Sequence, residues 1–162
     1  MLVIAPTAKI SRLADIEDSV RGSLIVIEDN AMIDSFVRIK PVGGAGDIRI
    51  GKNCFINSGT VIFSGNGVDM DEWVLIAPNC TIAPVNHGYR ERSTTIRHQG
   101  FLPSKGGVRI ERDVWIGANS VLLDGACLRE GCVIGAGSVV SGEVEAFSIN
   151  VGNPLRRIGT RA

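Results

Sequence analysis

Apolar and polar positions recur along this chain with a period of six. Residues 110–139 read as IERDVW, IGANSV, LLDGAC, LREGCV and IGAGSV. Each unit opens on an aliphatic residue: Ile110, Ile116, Leu122, Leu128 and Ile134. Four positions later stands a small or β-branched one: Val114, Ser120, Ala126, Cys132 and Ser138. The same register runs upstream in three-unit blocks over 4–21, 27–44, 50–67 and 70–87, and less cleanly to 145 at the other end. Both special positions have even spacing, so both can point inward from one short strand. Three short strands per turn predict a triangular coil, with coils pairing about 4.8 Å apart. Six coils would stack into a prism on the order of 30 Å long. A helix fits poorly, because six is not a multiple of 3.6 and Gly, Asn, Asp and Pro are too frequent inside the units.

The period breaks at 22–26, 45–49, 68–69 and 88–109. Each break follows the third unit of a block, so all are expected to leave from one corner of the prism. The first three are short enough for bulges or corner loops. The last is long, and a long loop on a rigid repeat scaffold is usually functional. The stretch APVNHGYRERSTTIRHQG, residues 83–100, holds both histidines and the only tyrosine. Across 88–109, Arg90, Arg92, Arg97, Lys105 and Arg109 face one acid, Glu91. Such a loop is either a solvated surface or a local positive field for an anionic ligand.

Composition narrows the class. Hydrophobic residues make up 44% of the chain and aromatics only 5%, so the core must be aliphatic and small. Twenty glycines without a collagen period read as turns. A formal net charge of zero gives no reason to expect nucleic acid as partner. No run reaches ~18 apolar residues and no basic leader opens the chain, so a single soluble, cytoplasmic domain over 1–162 without a membrane span is expected. Cys54, Cys80, Cys127 and Cys132 form no C-x-x-C pair, and three of them occupy the small slot of a unit, which points to packing.

His87 stands at the root of the long loop. Three roles compete for it: a structural side chain, a zinc ligand, or a general base. Zinc needs two further good ligands, and the chain has only His87 and His98 as histidines. An imidazole with an ordinary pKa of about 6.5 can take the proton of an alcohol as that alcohol attacks a thioester. Backbone N–H groups at coil corners would stabilise the oxyanion. The residues alone leave these roles open.

The order IAPNCTIAP, NH, a loop, then VRIERDVWIGANSVLLDGACLREGCVIGAGSVV and VGNP resembles the hexapeptide-repeat acyltransferases. Within them it is similar to the maltose, galactoside, xenobiotic and bacterial polysaccharide O-acetyltransferases, over roughly residues 48–158. The resemblance implies an all-β fold: a left-handed parallel β-helix of hexapeptide repeats with one long extruded loop, about 88–109, and a C-terminal tail, about 146–162. The left hand comes from the resemblance and departs from the usual crossover rule. The resemblance places His87 at the catalytic histidine. It sets Trp115 beside the acceptor and pantetheine channel, with Gly117, Ala118, Gly135 and Ala136 along the pantetheine arm. Arg156 replaces the basic residue of the terminal G-N-P segment and Arg157 adds another, both toward the phosphates of coenzyme A. Asn86, Tyr89 and Asn57 are candidates for acceptor contacts. Gly59 and Ser64–Gly65 depart from some sugar acetyltransferases, which have Asn and acidic residues there.

The implied activity is acetyl transfer from acetyl-CoA to a hydroxyl of a sugar or polysaccharide precursor, without a metal, in a homotrimer with sites between subunits. Transfer to an amino sugar or a xenobiotic is the near alternative. A non-catalytic β-helix scaffold and a zinc-dependent carbonic anhydrase-like protein are the distant ones.

Overall fold

The inward positions share strands in a slightly different way from the one the units suggest. Val114, directly before the strand Trp115–Ile116, and Ile116 within it are both buried, whereas a turn at Arg112–Asp113 separates Ile110 from Val114. The small residue therefore stands directly before a strand and the next aliphatic lies within it. Asp113 takes the turn with φ 57°, and Asn30, Asn53, Asn79 and Asn119 do the same at equivalent corners. Asn and Asp tolerate this left-handed backbone better than other side chains. That explains why the polar slots of the units are rich in them.

The computed structural model describes residues 1–162 as a left-handed parallel β-helix with no α-helix. Its strands stack into three faces. The first face runs from Leu2–Ile4 through Ile25–Ile27, Ile48–Ile50, Val68–Met70, Val108–Ile110 and Cys127–Leu128 to Glu143–Val144. The second runs from Lys9–Ile10 through Met32–Ile33, Phe55–Ile56, Leu75–Ile76, Trp115–Ile116 and Val133–Ile134 to Ser148–Val151. The third runs from Asp15–Ile16 through Arg38–Lys40, Val61–Phe63, Thr81–Ala83 and Val121–Leu123 to Val139–Val140.

Six full turns result, and Glu143–Val144 with Ser148–Val151 begins a seventh. Residues 146–162 are therefore not a tail. Arg156–Thr160 turns back and pairs antiparallel with Ser148–Val151, which covers the open edge of the second face. At the other end Leu2–Ile4 is the first strand of the prism.

Register stacks like on like. On the second face Ile33, Ile56, Ile76, Ile116 and Ile134 lie directly above one another. Ile39, Ile62, Ile82, Leu122 and Val140 do so on the third. The resulting core cluster contains 28 buried apolar residues. Each large aliphatic buried this way is worth roughly 1.5–3 kcal/mol, which the backbone bonds between turns alone could not supply. Cys54, Cys80 and Cys132 are part of this core, while Cys127 points out of the first face and is only half-buried.

The first face carries a charge ladder outside. Arg49 is held by Glu28 at 2.8 Å, Asp69 at 3.0 Å and Asp71 at 3.2 Å. Arg109 binds Asp69 at 2.6 Å. Arg129 bridges Glu111 at 2.9 Å and Glu143 at 3.0 Å. Exposed pairs of this kind add about 0–1 kcal/mol each, so they fix register more than they stabilise it. The second face is apolar outside: Met32, Phe55, Leu75, Trp115 and Val133 form a continuous outward row. No helix of the chain is long and apolar enough to cross a membrane.

Candidate active site

All long connections leave where the third face meets the first. They span 17–24, 41–47 and 84–107, while 64–67 at the same corner is no longer than the corners elsewhere. The connection over 84–107 is the extruded loop. Its return leg ends two residues earlier than the period indicates, because Val108–Ile110 is already a strand. Arg109 thus belongs to the charge ladder through Asp69 and not to the loop's unpaired cations.

His87 is exposed at the start of this loop. It forms an isolated antiparallel bridge with Phe101, and the two rings tilt at 52° with centroids 4.7 Å apart. Backbone bonds close the bridge on both sides: Gly88 N–H to Gly100 O at 2.9 Å, and Leu102 N–H to Asn86 O at 2.8 Å. Phe101 is therefore the aromatic side chain packed against the imidazole, a contact invisible in the sequence because it depends on how the loop folds back. Glu91 does not orient His87. Its carboxylate accepts from Ser93 N–H at 2.9 Å and Ser93 Oγ at 2.8 Å, and these bonds hold its pKa below the ordinary value. Asn86 and Tyr89 lie beside His87, Tyr89 well exposed.

The loop's far root is pinned by Asp124, which is 2% exposed. Its two carboxylate oxygens accept the backbone N–H groups of Lys105 and Gly107, each at 2.9 Å. Asp124 sits in the turn between Val121–Leu123 and Cys127–Leu128, so the next coil holds the loop's return. The pair DG in LLDGAC signals a turn, but nothing in the sequence links it to residues 105–107.

The other candidate residues lie elsewhere. Gly117, Ala118, Gly135, Ala136 and Asn57 occupy the corner where the second face meets the third. That corner and His87 are on opposite edges of the third face. Coil stacking alone requires glycine at two of these positions. A Cβ on Gly117 would lie 2.5 Å from Ala136 N, and one on Gly135 would lie 2.5 Å from a Val151 methyl. The N–H groups of Gly117 and Gly135 are also committed, to Ile134 O and Asn150 O at 2.7 Å each. Those of Ala118 and Ala136 make no bond within the chain. Asn57 donates its amide to Ile76 O at 2.7 Å, so it serves the stack.

Trp115 is half-exposed in a groove of about 320 Å³ on the second face, with Trp73, Leu75, Val133 and Arg161 around it. Arg161 is held there by Asp113 Oδ2 at 2.9 Å and Gly131 O at 3.0 Å. The sequence gives no sign that Arg161 lies here, because only the antiparallel return of Arg156–Thr160 brings it to this groove. Arg156 is exposed and unpaired, but Arg157 is held by Glu145 and is not a free phosphate ligand. No group of three His, Cys, Asp or Glu side chains is placed to hold a metal ion.

Residues 107–142 match the family "Bacterial transferase hexapeptide (six repeats)". This chain resembles the hexapeptide-repeat acyltransferases. It is 32% identical over 116 residues to a probable acetyltransferase of Mycobacterium tuberculosis, covering 72% of this chain and 38% of the relative. It is 28% identical to the galactoside O-acetyltransferase of Escherichia coli, over 88% of this chain and 66% of the relative. The chain thus spans less than two thirds of these curated relatives. Among solved structures, an N-acyltransferase variant from Bacillus cereus, bound to dTDP-4-amino-4,6-dideoxyglucose and coenzyme A, superposes with TM-score 0.82 at 27% identity, over 99% of this chain and 84% of that one. A hexapeptide-repeat acetyltransferase from Vibrio cholerae with acetyl-CoA superposes with TM-score 0.68 at 26% identity, over 81% of this chain and 68% of that one.

Proposed function

We propose that this hexapeptide-repeat chain transfers an acetyl group from acetyl-CoA to a hydroxyl of a sugar or polysaccharide precursor. His87 acts as general base, and active sites form between the subunits of a homotrimer. One observation carries the reading: His87 sits where the one long loop leaves a prism of the acyltransferase kind, with solved relatives that hold coenzyme A or acetyl-CoA. Its ring is exposed to an incoming acceptor and braced only by Phe101.

In the reaction, His87 takes the acceptor's O–H proton while the oxygen attacks the thioester carbonyl. The C–O bond forms and the C–S bond breaks. The proton then passes from the imidazolium to the departing thiolate, so no covalent enzyme intermediate is needed. The free N–H groups of Ala118 and Ala136 suit the pantetheine amides, Trp115 flanks the arm, and Arg156 is available for phosphate. Gly117 and Gly135 serve by letting coils stack closely. Asn86 and Tyr89 are the acceptor-side residues next to His87.

The separation of His87 from the Ala118–Ala136 corner by the width of the third face supports assembly. A second copy that brings its own corner against the His87 edge completes the site, and the apolar row on the second face is a surface that association would cover. A second reading, transfer to the amine of an amino sugar, is favoured by the Bacillus cereus N-acyltransferase at 27% identity. The same base serves both.

Titration with coenzyme A in a calorimeter tests the class without knowledge of the acceptor. Saturable binding near one site per chain supports it. A folded oligomer that does not bind overturns it in favour of a scaffold. A panel of sugars and amino sugars, read by product mass, then separates the O- and N-transfer readings.

A further inference from the structure

The loop beginning at His87 has a charge balance unlike that of the coils. On the coils Arg38, Arg49, Arg109, Arg112 and Arg129 are each held by a carboxylate of a neighbouring turn, and the unpaired Lys9, Arg12 and Lys52 are divided between the first and third turns. In the loop Arg90, Arg92, Arg97 and Lys105 are all exposed and none makes an ion pair. The loop's one acid, Glu91, is turned onto Ser93. A chain of zero net charge therefore concentrates unpaired positive charge beside its candidate base.

These cations stand on a fixed framework. The Gln99 side chain donates to Glu91 O at 2.9 Å and Thr94 O at 2.8 Å, and accepts from Glu91 N–H at 3.1 Å. A short 3₁₀ turn, Ile96–His98, carries Arg97. The His87–Phe101 bridge closes the near end and Asp124 the far end. Holding like charges together costs free energy unless an anion compensates. One carboxylate needs one arginine. Four cations against one acid suit a diphosphate, which carries about two to three negative charges near neutrality, and guanidinium forks match phosphate oxygens.

We propose that residues 88–105 bind the diphosphate of a diphosphate-linked sugar acceptor and so deliver its sugar hydroxyl to His87. This rests on the transferase reading above. A nucleoside diphosphate and a lipid diphosphate share the recognised group.

The test titrates inorganic pyrophosphate, UDP and geranyl diphosphate into the full chain saturated with coenzyme A. Pyrophosphate is expected to bind and to weaken with salt. Tighter binding of UDP assigns a nucleotide source, and tighter binding of geranyl diphosphate a lipid one. The R90Q/R92Q/R97Q variant is expected to lose about tenfold or more in pyrophosphate affinity. Its coenzyme A affinity and its size in solution are expected to stay unchanged. Should the triple variant not fold, R92Q alone is expected to lose part of that affinity. Absence of pyrophosphate binding by a parent chain that binds coenzyme A overturns the site alone. A parallel loss of coenzyme A affinity assigns the arginines to the co-substrate and overturns it too. A change of oligomeric size assigns them to the subunit interface and likewise overturns the site. Failure of the parent to bind coenzyme A instead removes the transferase reading and the acceptor role with it.

Discussion

Asp124 accepts the backbone N–H of Gly107 at 2.9 Å, across the step from one coil to the next. With its second oxygen on Lys105 N–H, this buried carboxylate is the pin on which the extruded loop returns to the prism. Asp124→Asn replaces one acceptor with a donor that faces an N–H group. Such a buried mismatch costs about 1–3 kcal/mol. The coils should survive, since Asp124 lies outside the core ladders. Trypsin should cut the variant faster at Arg90, Arg92, Arg97 or Lys105, well below its melting temperature. Equal cleavage rates in variant and parent would show that the loop holds without this pin.

His87→Ala is expected to lower acetyl transfer by about 10²–10⁴-fold, the usual worth of a positioned base. Coenzyme A affinity and oligomeric size should be preserved, because His87 makes no core contact. Transfer at the parental rate would remove His87 from the mechanism. Phe101→Ala should leave the base in place but unbraced, with a smaller loss in kcat than His87→Ala.

The thiols divide by burial. Burial pushes the Cys54 thiol up to about 11 and that of Cys132 up to about 12, and raises that of Cys80 as well. Native protein at pH 8 should react with iodoacetamide at Cys127 first, and at all four thiols only in denaturant. For Cys54 and Cys132 the folded pKa lies above the unfolded one, so their contribution is intact below about pH 9 and is lost as pH rises toward 11–12. A melting temperature that does not fall across that alkaline range would contradict this.

At the acid end the sign reverses. Arg129 first, then the Glu130 N–H, holds the Glu111 carboxyl below its ordinary 4.5. Its contribution is therefore present above about pH 4.5 and is lost as pH falls through the lowered value. Arg129→Met should flatten that part of the acid melting curve, while the neutral-pH melting temperature changes little.

Within the core, Ile76→Ala should destabilise by about 2–5 kcal/mol, since Ile56 below and Ile116 above cannot close the gap without shifting a whole turn. Chemical denaturation would show a lower midpoint. A loss under about 1 kcal/mol would mean that the coil relaxes more than a stacked strand should.

The period of six determined the inward columns by itself. Ile110, Val114, Ile116 and Ser120 are all buried, because strand alternation and the corner turn are local properties of a few consecutive residues. It also placed His87 at the foot of the one long excursion. Which strand each pair shared depended on where the turn falls, and Asp113 decided that. Only the tertiary structure decided what meets across turns. Phe101 against His87, Asp124 under Gly107, Arg109 on Asp69 and the return strand Arg156–Thr160 each join residues distant along the chain. Contacts of this kind depend on coil height and loop path, and a repeat that looks the same at every turn carries no record of either.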